Sequence, residues 1–210
     1  MEEGEHTRLL RDLLSRTQGK AGYSDRFALD VLRLQFKAVG TMPPQDYSDM
    51  AEIALQNAFP TEAKKVLDAG FAKGVLGTGA NAAKHKKLRD QANKAAADDA
   101  KNIASGEASA MKSKDGTGLI NLGYAFVTMD QFDKGIDLIQ KGIAKGGLKR
   151  PEDAKLRLGY SYAMAGKKDD AIKVLETVKG GDGVGDLARY WILWLNRPAT
   201  AAAAPAAAAQ

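Results

Sequence analysis

The chain has 210 residues, 44% of them hydrophobic and 27% charged, which is the composition of an ordinary globular domain or a repeat array. Its formal net charge of +5 comes from acidic and basic residues that are mixed along the chain, which is weak support for nucleic-acid binding. Because cysteine is absent, disulfide bonds and thiolate metal sites are excluded.

The sequence contains no run of the roughly 18 apolar residues that a membrane-spanning helix requires. Residues 1–14 are too charged to form the apolar core of a signal peptide. We therefore expect a soluble protein without a membrane span. It would be periplasmic if the chain is a fragment of an exported precursor, and cytoplasmic otherwise.

Two helices are predicted near the start of the sequence. Apolar residues follow helical spacing over 9–15 and again over 25–39, with Ser24 as a candidate N-cap and Gly40 as the stop.

An internal repeat occupies the following part of the chain. The sequence Leu-Gly-Tyr-Ala-Phe at 122–126 returns 36 residues later as Leu-Gly-Tyr-Ser-Tyr at 158–162. At twice that offset, residues 70–76 superimpose on residues 142–148. The period predicts three related units, at residues 44–77, 116–149 and 152–179.

Each unit has the pattern of two helices joined by a short link. Apolar residues recur at helical spacing on both sides of the link at Met129–Gln131, which predicts an antiparallel helical hairpin. Glycine inside a helix costs about 1 kcal/mol relative to alanine, so a compensating close approach of backbones is expected. The small residues predicted at these helix crossings are Gly123, Gly135, Gly159 and Ala171.

Residues 116–149 resemble a tetratricopeptide repeat at that motif's signature positions, which hold Leu119, Leu122, Gly123, Phe126, Gly135, Ile139 and Gly142. Residues 152–179 resemble it likewise through Leu158, Gly159, Tyr162, Ala171, Leu175 and Val178, and residues 44–77 form a degenerate copy. The motif's aromatic residue is replaced by Leu119 or Lys155, and its closing proline is missing. The resemblance implies an all-α fold, a right-handed α-solenoid of stacked antiparallel hairpins covering residues 1–197.

The remaining segments are expected to complete this array. Residues 80–104 favour helix by propensity, with a narrow buried stripe at His85, Leu88, Ala92, Ala95 and Ala96. Residues 105–114 are a short helix or a loop. A closing helix is predicted at 186–196, carrying Tyr190, Trp191 and Trp194, and the Ala/Pro-rich residues 198–210 are expected to be disordered.

We find no motif for catalysis, a cofactor or a metal, and the expectation is a protein that is not an enzyme. His6 and His85 stand among charged residues, and no nucleophile elbow is present. The glycine-rich segments 77–79 and 115–118 lack the Lys-Ser/Thr of a phosphate-binding loop, and 180–186 lacks the ligand spacing of a calcium loop.

The resemblance implies that the first helix of each repeat lines a concave groove that binds peptides. The six principal groove residues of this chain would be Asn121, Tyr124, Thr128, Arg157, Tyr160 and Met164. Thr117, Ile120, Asp153 and Leu156 would face the same groove. We expect Tyr124 and Tyr160 to anchor an apolar helix or extended segment, with Asn121 and Arg157 as hydrogen-bond donors. Since Ile120 and Leu156 replace the Lys and Asn of carboxylate-binding grooves, an acidic C-terminal peptide is not expected.

Two alternatives remain open. The sequence is similar to the C-terminal part of uncharacterised proteobacterial tetratricopeptide proteins, so it could be the assembly module of a longer exported, envelope-associated protein. The basic segment Lys84–Arg89 could instead bind nucleic acid or another polyanion weakly, although its simpler interpretation is a solvated helix face. The main hypothesis is a scaffold for another protein or peptide, with the oligomeric state unspecified.

Overall fold

A computed structural model describes residues 3–38 and 40–197, and this part of the chain contains α-helices and turns but no strand. The expected all-α class is confirmed. The helices are α1 (Glu3–Gln18), α2 (Ala28–Ala38), α3 (Pro44–Gln56), α4 (Pro60–Ala72), α5 (Ala82–Asn102), α6 (Gly106–Lys112), α7 (Thr117–Thr128), α8 (Phe132–Lys145), α9 (Pro151–Met164), α10 (Lys168–Leu175) and α11 (Val184–Leu195). Three short 3-10 turns lie at Asp25–Phe27, Gly79–Asn81 and Ile103–Ser105.

The pairs α3–α4, α7–α8 and α9–α10 are helical hairpins whose turns share one backbone geometry. The turn residue with positive φ is Ala58 at 60°, Asp130 at 62° and Gly166 at 74°, so the spacings along the chain are 72 and 36 residues. The N–H groups of Phe59, Gln131 and Lys167 donate to the carbonyls of Ala54, Phe126 and Tyr162 at 2.8, 3.0 and 3.0 Å. The period found in the sequence is therefore also a period of the backbone.

Close backbone contact between α7 and α8 explains the glycines predicted at this crossing. A Cβ atom on Gly123 would lie 2.5 Å from the carbonyl oxygen of Gly135, and a Cβ on Gly135 would lie 2.5 Å from that of Gly123. A Cβ on Gly159 would instead meet the side chain of Leu175, at 2.5 Å. The predicted crossings at these glycines are confirmed.

Helix α5 follows α4 in the chain and packs against both helices of the first hairpin, α3 and α4. Four members of its predicted stripe are buried, namely His85, Leu88, Ala92 and Ala96, whereas Ala95 is half-buried. Helix α6 packs against α7, so residues 106–112 are helical rather than a loop.

The first and last described helices are in contact. Leu10 and Leu14 of α1 share a hydrophobic core with Leu187 and Trp191 of α11, and α2 also packs on α11. The predicted helix over 25–39 is a 3-10 turn followed by α2, and Ser24 makes no side-chain cap. Residue 39 and the predicted disordered tail at 198–210 lie outside the described residues.

Replacing Gly135 with alanine should destabilise the protein, because the new methyl group would meet backbone atoms of α7 that cannot move independently. We expect a loss of about 1–3 kcal/mol in the free energy of unfolding, measured by denaturant titration. Gly118→Ala is the matched control on α7, since its Cβ would make an ordinary contact of 3.5 Å with Ala110. Equal stability of the two variants would contradict the close crossing.

Replacing Ala58 with glycine should stabilise the protein, because φ of 60° is strained for a residue with a Cβ atom. The expected gain is about 0.5–1 kcal/mol, after the added chain entropy of glycine is subtracted. Gly166→Ala makes the reverse change at the equivalent turn and should lower the thermal midpoint. If both variants shift the midpoint in the same direction, the turns are not equivalent.

Candidate functional site

The six predicted groove residues lie on neighbouring faces of α7 and α9. Positions one period apart come into contact: Arg157 Nη1 donates to Asn121 Oδ1 at 2.7 Å, and the ring centroids of Tyr124 and Tyr160 are 5.8 Å apart. Their exposure differs, however. Asn121 is exposed and Arg157, Tyr160 and Met164 are half-buried, whereas Tyr124 and Thr128 are buried.

Tyr124 is covered by α2 of the same chain, through Arg33. The Nε and Nη2 atoms of Arg33 each donate to the carboxylate of Glu62 at 2.7 Å, and Nη1 donates to Asp30 at 2.8 Å. Its Cζ atom lies 4.6 Å from the ring centroid of Tyr124 and 5.8 Å from that of Tyr160. Four residues outside α2 surround this guanidinium, and we call them the Arg33 cradle: Phe59, Glu62, Tyr124 and Tyr160.

The charges in the Arg33 cradle are set by burial and by the ion pair. Burial alone would lower the pKa of Arg33, but the charge of Glu62 raises it well above its ordinary value. Burial raises the pKa of both Tyr124 and Tyr160. The guanidinium is therefore charged and both phenols are neutral, so the rings act as faces for a cation.

The cradle belongs to a longer row of aromatic rings that crosses from the first hairpin to the last helix. Successive centroids are 4.8 Å apart from Phe59 to Tyr124, 5.8 Å to Tyr160, 5.1 Å to Trp191 and 5.4 Å to Trp194. Such tilted and edge-on contacts are favourable geometries for aromatic pairs. We call these five residues the aromatic row.

A pocket of about 540 Å³ remains open beside the covered tyrosine. Its lining residues are Asp115, Thr117, Ile120, Asn121, Leu148, Lys149, Arg150, Asp153, Ala154 and Arg157. We call it the Arg157 pocket. It contains Asn121 and Arg157 of the predicted groove, and the apolar Ile120, Leu148 and Ala154 form part of its wall.

The two carboxylates of the Arg157 pocket are engaged, whereas its three cations make no ion pair with any described residue. Asp153 accepts from Arg26 at 2.9 and 3.0 Å, and Asp115 accepts the N–H of Thr117 at 2.8 Å. Burial lowers the pKa of Arg157, and the neighbouring charge of Arg33 lowers it further. The charges of Asp30 and Asp153 act in the opposite direction, but neither carboxylate forms an ion pair with Arg157. The guanidinium is therefore able to pair with an anionic ligand group.

A smaller pocket, of about 220 Å³, lies on the other side of the Arg33 cradle. It is lined in part by Thr128, Tyr160 and Met164, together with Phe36 and Lys37 of α2. The six predicted groove residues are thus distributed over two pockets and the covered centre between them, and they do not form one open groove in this conformation.

The basic segment on α5 presents little free positive charge. Lys84 lies 3.8 Å from Glu52, and Arg89 pairs with Asp68 at 2.8 Å. His85 is buried and accepts the N–H of Gly77 at 3.2 Å. Lys86 and Lys87 alone are exposed there without an ion pair to a described residue.

Two aspartates of the glycine-rich segment 180–186 form ion pairs with residues near the start of the chain. Asp182 pairs with Arg26, which lowers the pKa of that carboxyl, and Asp186 pairs with Lys20 and Arg189. Within residues 3–38 and 40–197, no group of three acidic or histidine side chains could hold a metal ion, and no helix combines the length and apolarity needed to cross a membrane.

Arg33 and Glu62 were not predicted from the sequence as residues of the site. A weak signal was present: Arg33 follows Leu29 by four residues and precedes Phe36 by three, which places it on the apolar stripe of a helix. A charged residue on such a stripe indicates burial with a partner. Nothing in the pattern indicated that the partner is Glu62.

Comparison with protein-family models, curated proteins and solved structures found no match. The tetratricopeptide resemblance therefore rests on the residues of the sequence.

Removing one member of the Arg33–Glu62 pair should cost more than removing both. Glu62→Met leaves a buried guanidinium without its main partner, so we expect a loss of about 3–5 kcal/mol in the free energy of unfolding. The double variant Arg33→Met/Glu62→Met should recover part of that loss. Additive losses in a double-mutant cycle by denaturant titration would show that the two groups do not interact.

Proposed function

We propose that the protein is a non-enzymatic scaffold that binds another polypeptide on the face of α7 and α9, within a tetratricopeptide-like, right-handed α-solenoid. The observation that carries the proposal is the Arg157 pocket. It is open, it is large enough for several side chains, and it combines an apolar wall with three cations that have no ion-pair partner among the described residues.

The repeat geometry supports the solenoid part of this proposal. Three hairpins have the same turn conformation at spacings of 72 and 36 residues, and residues one period apart touch at Asn121–Arg157 and Tyr124–Tyr160. Stacked hairpins of a tetratricopeptide-like array bring equivalent positions together in this way.

The expected ligand differs from the apolar-anchored segment that the sequence favoured. Tyr124 is only 1% exposed and Ile120 only 4% exposed, so neither offers a free surface to a ligand in this conformation. The accessible donors are Asn121 and Arg157, with Lys149 and Arg150 on the loop before α9. An extended segment whose carboxylate groups reach Arg157 fits this chemistry best.

The test is selection of ligands from a randomised peptide library on the full chain. Selected peptides should be enriched in Asp and Glu, because their carboxylates would pair with the free cations. Arg157→Ala should weaken the best peptide by at least about tenfold, measured by fluorescence anisotropy at fixed salt.

Arg11→Ala is the control, since Arg11 is an exposed arginine without an ion pair among the described residues. It should bind the selected peptides as the parent does. Selection of peptides without acidic enrichment, or equal binding by the Arg157→Ala variant, would rule out this site.

A further inference from the structure

The hairpin formed by α1 and α2, residues 3–38, is joined to the rest of the described chain by ion pairs of one polarity. In each of them the hairpin supplies the cation, and the rest of the described chain, residues 40–197, supplies the carboxylate. We call residues 40–197 the body. These pairs are Lys20–Asp186 at 3.0 Å, Arg26–Asp153 at 2.9 Å, Arg26–Asp182 at 2.6 Å and Arg33–Glu62 at 2.7 Å. If the hairpin dissociates, Asp153, Asp182 and Glu62 lose their ion-pair partners, and Asp186 keeps only Arg189. The uncovered face then favours a basic occupant.

The Arg33 cradle has the geometry of an arginine-binding site. Its parts come from three helices of the body or their flanking turns: Phe59 and Glu62 from the start of α4, Tyr124 from α7 and Tyr160 from α9. Two hydrogen bonds to Glu62 match the planar fork of a guanidinium, which lysine cannot reproduce, and the rings lie within cation–π distance of it.

Several features of the docked hairpin oppose its own binding. His6 Nδ1 and the Tyr23 hydroxyl are buried without a hydrogen-bond partner among the described residues. The Arg33–Glu62 pair is also desolvated on docking, with 3% and 8% of the side chains exposed, and that cost offsets much of its attraction. These polar costs oppose the apolar contacts that Leu10, Leu14 and Phe27 make in the core shared with α11.

We propose that the face beneath α2 is a docking site for an amphipathic, arginine-bearing helix of another protein, and that α2 occupies this site until such a helix displaces it. The partner helix would be basic and would place one arginine among aliphatic residues, as Arg33 lies near Leu29 and Leu34 on the buried side of α2. This inference rests on the proposed function, since both require the α7–α9 face to bind polypeptide.

The experiment uses the full chain and a labelled peptide with the sequence of residues 24–38. The release variant Lys20→Ala/Arg26→Ala removes three of the four cross-pairs and leaves the cradle intact. Because apparent affinity scales with the fraction of open sites, it should bind the peptide at least about tenfold more tightly than the parent chain.

Arg11→Ala/Arg16→Ala is the matched control on α1, since both residues are exposed and neither makes an ion pair with the described body residues. It should bind the peptide as weakly as the parent chain. A peptide carrying Ala in place of Arg33 should bind the release variant at least about tenfold less tightly than the original peptide.

Equal peptide binding by parent and release variant would overturn the proposal, as would equal binding of the two peptides. A release variant that dimerises without binding the peptide would assign the site to exchange of hairpins between two copies, which also overturns it. Should the release variant unfold, Asp182→Asn/Asp186→Asn weakens the same connection from the body side. Unfolding of both would show that the hairpin is an inseparable part of the fold, which overturns the proposal.

The outcome is distinguishable from that of the proposed function. Binding of library-selected acidic peptides depends on Arg157 and should persist in the Asp182→Asn/Asp186→Asn variant, which keeps the pair between Arg26 and Asp153 at the Arg157 pocket. If those peptides bind while the residue 24–38 peptide does not, the scaffold function stands and the arginine-helix site falls.

Discussion

The ion pair between Arg33 and Glu62 is the interaction on which the position of α2 depends. Its two hydrogen bonds join α2 to α4, and the guanidinium lies against rings from α7 and α9. One side chain thereby connects four helices. Since both members of the pair are buried, each requires the other, and α2 cannot shift along the α7–α9 face without leaving a charge unpaired.

The site under α2 follows from the repeat. The turns at Ala58, Asp130 and Gly166 have similar backbone conformations, and equivalent side chains of the second and third hairpins are in contact. The contacts of Tyr124 with Tyr160 and of Asn121 with Arg157 each join positions one period apart. The repeat thus supplies a face with aligned rings, and the single hairpin before it supplies the arginine that fills the centre of that face.

Much of the fold could be predicted because it is encoded locally. Helical spacing placed the hairpins, and helical glycines such as Gly123 and Gly135 marked a backbone crossing that the structure confirms. The burial of the candidate site residues could not be predicted in the same way. The rings of Tyr124 and Tyr160 are in contact, but the burial of Tyr124 depends on Arg33, a residue 91 positions earlier in the chain. Contacts at that separation arise from the tertiary arrangement and leave no periodic signal in the sequence.

The central claim is that α2 covers the α7–α9 face of its own chain through Arg33. The most direct measurement is a set of nuclear Overhauser effects between side-chain protons in the isotopically labelled full chain. The account predicts cross-peaks from the Arg33 side chain to the rings of both Tyr124 and Tyr160, with amides of α2 protected from exchange. Rings that contact only residues of their own hairpins, together with unprotected α2 amides, would contradict it.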